Sequence, residues 1–194
     1  MIVYVYPADE YGCGFYRMVA PAAALRAQGH DIRIRMPDAR EGIGGEFDAH
    51  TGRLVSVHIP PDADVIVMQR VSLQNLVEAI PMIRAKGVAV VVDMDDDLTK
   101  IDPSNPAFAA LHPKTGRDRR HNWANAAIAT RSATMVTAST PALLPIYAPH
   151  GRGVVLSNRI PAQYLEIPHR DSAVFGWAGS THSHPFDLQQ VGPA

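Results

Sequence analysis

One cysteine, Cys13, stands in the whole chain of 194 residues. That excludes an internal disulfide and any cysteine-based zinc site. No apolar run approaches the ~20 residues a spanning helix needs, so no integral membrane segment is expected. The opening Met1-Ile-Val-Tyr-Val-Tyr6 lacks a basic head and a long apolar core; it reads as a strand rather than a signal peptide. An excess of one charge is missing too. The formal net charge is −1, which offers no broad basic field to nucleic acid and no polybasic tail to an anionic membrane. The one local basic run, Arg117-Asp-Arg-Arg-His121, reads as a solvated helix start or loop. The familiar glycine signatures are incomplete. Gly12 and Gly14 are followed by Arg17 where a dinucleotide fingerprint needs a third small residue. No Walker loop and no Gly-x-Ser-x-Gly elbow occur. A reducing cytoplasm is the expected compartment.

What is present is an ordinary globular composition, 46% hydrophobic and 19% charged, long enough for one domain with a sizeable core. Strand and helix signals alternate. Ile2–Tyr6 is a short apolar run before Pro7. Residues 15–28 carry helical spacing, with Pro21 demanding a kink or a fresh helix start and Gly29 a stop. Ile32, Ile34 and Met36 alternate with arginines, as in a half-exposed strand. Residues 46–58 read as two short strands around Thr51-Gly52, an inserted hairpin. Further strands fall at 63–68, 88–92, 134–138 and 153–156, with helices at 73–85, 119–132 and 141–147 between them. An irregular stretch covers 101–115. Val88–Val92 is apolar throughout, which suits an inner strand of a parallel sheet covered on both faces. The expected fold is α/β: a doubly wound, Rossmann-like parallel sheet with a β-hairpin insertion.

The last stretch is read apart. Residues 161–170 form a linker, 173–177 another strand, and Gly176-Trp-Ala-Gly-Ser180 a loop able to cradle a phosphate. The expectation is a lobe over 1–165 and, over 166–194, a linker with the first strand of a truncated second lobe. His182 and His184 would share a face of an extended segment, but two ligands do not make a zinc site.

In open parallel sheets the ligand crevice lies beyond the carboxyl ends of the strands. Four strand-end loops therefore carry the candidates. In the first, Gly12 and Gly14 let the backbone approach a ligand, and Arg17 adds a charge. Cys13 reads as a small residue suited to the turn. In the second, Gln69 and Arg70 offer an amide and a guanidinium, for ligand contact or for capping and pairing. The third is Asp93-Met-Asp-Asp-Asp97, four carboxylates in five positions. They must be solvated or compensated. The readings are a metal–nucleotide site, a phospho-accepting cluster, sugar contact or acid–base work, arginine pairing, and helix N-capping. The fourth is Gly176, Gly179 and Ser180.

The order Gly12-Cys-Gly-Phe-Tyr-Arg17, Gly29-His-Asp31, Gln69-Arg70, Asp93-Met-Asp-Asp-Asp97, Ser139-Thr-Pro141, Ser157-Asn158 and Gly176-Trp-Ala-Gly-Ser180 resembles bacterial and phage glycosyltransferases of the GT-B fold, family-4 type. The resemblance covers essentially the whole chain. It implies two Rossmann-like lobes, the first holding the acceptor and the second a nucleotide-sugar donor. It implies transfer of a sugar from a nucleoside diphosphate to an acceptor hydroxyl, of a glycan or another molecule, with no cofactor and no metal. Asp93, Asp95 and Asp96 become candidate catalytic residues. Gly12, Gly14, Arg17, Gln69, Arg70, Gly176, Gly179 and Ser180 become candidate substrate or donor contacts. It implies that Arg17→Ala and Asp95→Asn cut turnover with little change in melting temperature. The family's late Glu-x7-Glu region is not in this sequence, so the chain alone is expected to lack most of the donor site. Against this stand a metal-dependent transferase or phosphatase using Asp93–Asp97, and a non-catalytic binding or assembly module that self-associates through its exposed inter-lobe face.

Overall fold

The computed structural model describes residues 1–36, 42–105 and 122–168, with single positions at 108, 176, 179, 187 and 189. Six parallel strands form one sheet in the order β2-β1-β5-β6-β7-β8. They are β1 (Ile2–Tyr6), β2 (Asp31–Ile34), β5 (Val65–Gln69), β6 (Ala89–Met94), β7 (Met135–Ala138) and β8 (Gly153–Val155). The expected hairpin is β3 (Gly44–Phe47) and β4 (Leu54–His58), paired antiparallel as a separate small sheet. Gly52 at its tip has φ +66°, a conformation that glycine adopts at no steric cost.

Helices cover both faces, so the sheet is doubly wound and Rossmann-like. α1 (Ala20–Ala27) packs beside β2, with Met18 and Ala22 against Val5 and Ile32. On the other face α2 (Gln74–Ala85) and α3 (Asn122–Ser132) pack on each other and close the main core. α2 presents Val77, Ile80 and Ile83; α3 presents Ala126 and Ala129, whose small side chains allow close approach. Ile66, Val90, Val92 and Met94 beneath them are fully buried. Each such side chain contributes about 1.5–3 kcal/mol of hydrophobic stabilisation. α4 (Leu144–Tyr147), preceded by a 3-10 turn, follows β7.

Pro21 behaves as the sequence requires. The regular α-helix starts at Ala20 with Pro21 in its first turn, where a missing N–H costs nothing. Ahead of it, Phe15–Val19 forms a wide π turn, closed by Ala20 N–H donating to the Phe15 carbonyl. The expected linker is not featureless: Ala162–Glu166 makes a 3-10 turn with no buried residue. The expected strand at 173–177, the loop at Ser180, the run at 117–121, and His182 and His184 lie outside the described residues. Gly176 and Gly179 are described only as isolated exposed positions. Among the described residues, no helix is long and apolar enough to cross a membrane.

Candidate functional site

Sequence direction along the sheet reverses between β1 and β5. To one side lies β2; to the other, β6, β7 and β8 follow in order. Such a switch point opens a crevice at the strands' carboxyl ends. Strand register sets what lines it. Gln69 lies beside Asp93, and Asp93 beside Thr137, in one row across three strands.

Asp93 is completely buried. Arg17, descending from the π turn, meets it with two parallel hydrogen bonds, Nε to Oδ2 at 3.0 Å and Nη2 to Oδ1 at 2.5 Å. The Thr137 hydroxyl donates to Oδ1 at 2.5 Å. Arg17 itself is 2% exposed. Its remaining Nη1 donates to the Leu156 carbonyl and to Asn158 Oδ1 at 3.0 Å. One guanidinium thus joins the β1–α1 connection, the end of β6 and the segment after β8. Arg17 was expected as a ligand contact and Asp93 as catalytic. In this conformation both are sealed, and their geometry is that of positioning groups. Arg17→Ala would break a buried ion pair, so a lower melting temperature is expected rather than an unchanged one.

The second pair is nearer the surface. Arg70 donates to Asp95 through Nε (2.5 Å) and Nη2 (2.8 Å), and to Asp96 Oδ2 (2.5 Å). Its backbone holds φ +50°. For a non-glycine residue that costs on the order of 1–2 kcal/mol. Two interactions hold it there: its N–H donates to the Asp93 carbonyl at 2.9 Å, and its side chain is tied to the carboxylates. Burial opposes its charge, but the Asp95 bond and the nearby carboxylates raise its pKa above the ordinary arginine value. Nη2 also reaches Cys13 Sγ at 3.2 Å. The early glycine loop and the aspartate cluster therefore share one rim.

Within the loop, Gly14 is obligatory. A Cβ there would collide with the Asp9 carbonyl, and the Gly14 N–H donates to Asp9 Oδ1 at 3.0 Å. Gly12 sits at φ +58° in open space. Cys13 is a half-buried thiol pushed up to about 11, chiefly by burial and then by a hydrogen bond to Asp95. The Arg70 charge pulls the other way, but it is already shared between two carboxylates, so burial wins. Cys13 is therefore no thiolate nucleophile at neutral pH.

The compensation that four clustered carboxylates require is now visible. Asp93 has Arg17, Asp95 and Asp96 share Arg70, and Asp97 has Lys100 at 3.5 Å. Asp97 is an N-cap, accepting from the Thr99 N–H (3.0 Å) and hydroxyl (2.6 Å). Burial pushes its pKa up, yet the Thr99 bonds hold it below the usual carboxylate value. Three further residues complete the site; of these the sequence pattern marked only Ser139, in the Ser139-Thr-Pro141 motif. Thr137 holds Asp93. Ser139 Oγ donates to the Asp95 carbonyl at 3.0 Å. Tyr147 donates to the Asp96 carbonyl at 3.0 Å and accepts from the Leu98 N–H at 2.9 Å, its pKa raised by burial to about 12. Ser139 was marked as part of a motif but given no role; Thr137 and Tyr147 gave no local signal.

Guanidinium groups thus pair with Asp93, Asp95 and Asp96. Among the described residues no cluster of three or more His, Cys, Asp and Glu side chains is arranged to hold a metal ion. Among the described residues several openings lie near this end of the sheet, one of about 510 Å³ beside Glu10 and Gly12. A groove of about 710 Å³ runs between residues 15–25 and 156–163, its walls mostly apolar. A cavity of about 410 Å³ lies at the β1/β5 switch point, walled in part by Tyr6, Gln69 and Arg70. No protein-family model matches this chain and no curated protein matches it, so the case for a function rests on this rim.

Proposed function

We propose that this chain is the acceptor-side lobe of a GT-B glycosyltransferase, which together with a donor-binding lobe moves a sugar from a nucleoside diphosphate to an acceptor hydroxyl. The observation that carries the reading is the convergence of the Gly12–Gly14 loop, Arg70 and the aspartate cluster on one rim at the switch point of a parallel sheet. Asp96 is the carboxylate with the most open surface, 63% of its side chain. It suits contact with an acceptor hydroxyl. Arg17 is sealed and Arg70 is shared by two carboxylates. Among the described residues the rim therefore has little positive charge to spare for a diphosphate, which fits the acceptor side rather than the donor side. A non-catalytic binding module is the second reading, favoured by the arginine partners that Asp93, Asp95 and Asp96 all have. The metal-dependent alternative is disfavoured by the same pairing.

The test uses the full gene product with UDP-, GDP- and dTDP-sugars and a panel of hydroxyl acceptors, reading nucleoside diphosphate release. Acceptor-dependent release is expected, falling about 100-fold in Asp96→Asn, the scale of a lost acid–base group. A surface substitution of this kind shifts the melting temperature by no more than about 2 °C. Acceptor-dependent release with none of these donors, or full turnover in Asp96→Asn, overturns the catalytic reading.

A further inference from the structure

The outer side of the π turn and α1 is apolar and open. Met18 and Ala22 turn inward, into the core beside Val5 and Ile32. Tyr16, Ala20, Ala23 and Ala24 follow at helical spacing on the other side, where they line the groove facing residues 156–163. Across it, Leu156 and Ile160 are 43% and 54% exposed. Of sixteen large apolar side chains exposed among the described residues, six fall between Val154 and Ile167. Single exposed apolar residues need no explanation, but a concentration of them marks a binding surface.

Shape and charge say what fits. The volume of about 710 Å³ is that of a small-molecule site. The groove follows the helix from Phe15 to Leu25, about 15 Å at 1.5 Å per residue, so it is long rather than round. No carboxylate stands among its lining residues, but two arginines do. Arg17 is committed to Asp93, the Leu156 carbonyl and Asn158. The Arg159 side chain has no ion-pair or hydrogen-bond partner among the described residues. The result is an apolar trough with one uncommitted cation on its wall.

We propose that this groove binds a single-chain amphiphile, its alkyl chain against Tyr16, Ala20 and Ala24 and its carboxylate or phosphate head at Arg159. Charge complementarity selects the head. A cationic head would meet Arg159 with no lining carboxylate to offset the repulsion. The alanines select the tail, because their short side chains leave room for methylene groups where a larger residue would close the groove. No lining residue is shared with the rim formed by Arg70, Asp95 and Asp96, so the site stands whether or not sugar is transferred.

The experiment titrates the full chain with octanoate, octyl phosphate, octanol and octyltrimethylammonium, each below its micelle-forming concentration. The Ala20 and Ala24 methyl groups are followed by ¹H–¹³C NMR. The two anions are expected to shift these methyls at the lowest concentrations, octanol at higher ones, and the ammonium to leave them in place. Hexanoate, two methylenes shorter, should bind about 10-fold more weakly than octanoate. Arg159→Gln should weaken octanoate about 10-fold, the low end for a charged hydrogen bond at an open site, and leave octanol unchanged. Ala24→Phe changes an exposed helix position, so the fold is kept while the groove fills and every probe is lost. The proposal is overturned if neither anion moves the methyls at millimolar concentration. It is also overturned if octanoate binds folded Ala24→Phe as well as wild type, or if Arg159→Gln weakens octanol as much as octanoate. Shifts caused only by phosphatidylglycerol vesicles would assign the face to a lipid surface, and shifts that follow protein concentration without any probe would assign it to a second copy; either result refutes the proposal.

Discussion

Arg17 and Asp93 lie 76 positions apart in sequence and meet as a bidentate pair with side chains 1% and 0% exposed. Such a pair gains little over apolar residues of the same shape, but breaking it leaves one charge stranded.

Arg17→Ala should therefore destabilise the fold by about 3–5 kcal/mol. In a domain of this size that lowers the melting temperature by at least about 6 °C. Arg17→Met combined with Asp93→Leu should recover most of the loss, because no unpaired charge remains. Differential scanning calorimetry on the single and double variants decides it. A single variant as stable as the wild type would mean that water reaches Asp93.

The two loop glycines separate a steric demand from a conformational one. Gly12→Ala meets open space and bears only the strain of φ +58°, about 1 kcal/mol. Gly14→Ala drives its methyl group into the Asp9 carbonyl and should cost clearly more, because the loop must shift and pull the Cys13 thiol away from Arg70. Urea denaturation of both ranks them; equal midpoints would contradict the packing at Gly14.

The Cys13 thiol predicts a pH dependence. Its pKa rises from 9.0 to about 11 in the folded chain. Between those values the unfolded chain releases the proton while the folded chain keeps it. By linkage, this group's contribution to stability is whole below pH 9 and declines as pH rises towards 11. Alkylation by iodoacetamide should stay slow through pH 9 and accelerate with an inflection near 11. An inflection at or below 9 would show a thiol favoured by Arg70 rather than suppressed by burial.

Most of the framework was legible because its signals are local. Apolar runs gave the inner strands, alternation gave edge strand β2, Thr51-Gly52 gave the hairpin tip, and Pro21 gave the true start of α1. The site was legible in location but not in role. Nothing near Arg17 announces burial, since its partner arrives from another strand and its third partner from after β8. The positive φ of Arg70 is equally hidden, because carboxylates 25 and 26 positions further along the chain help hold it. Clustered aspartates could be read as needing compensation; which arginine serves which aspartate depends on strand register. Tyr6 read as an ordinary strand end and Gln69 as a candidate contact; that a side-chain polar atom of each is buried without a partner among the described residues is a property of the assembled structure.

The π turn sets a spacing rule for the whole lobe. Surface connections generally tolerate insertions and deletions. Between Tyr6 and Arg17 they should not: one residue more or fewer swings the guanidinium about 100° around the helix axis. The carboxylate closing β6 would then face hydrocarbon. Changes in length belong instead at the hairpin tip, Asp48–Gly52, where only local turn bonds, the Asx bonds of Asp48 and the backbone bonds around Gly52, would be rebuilt.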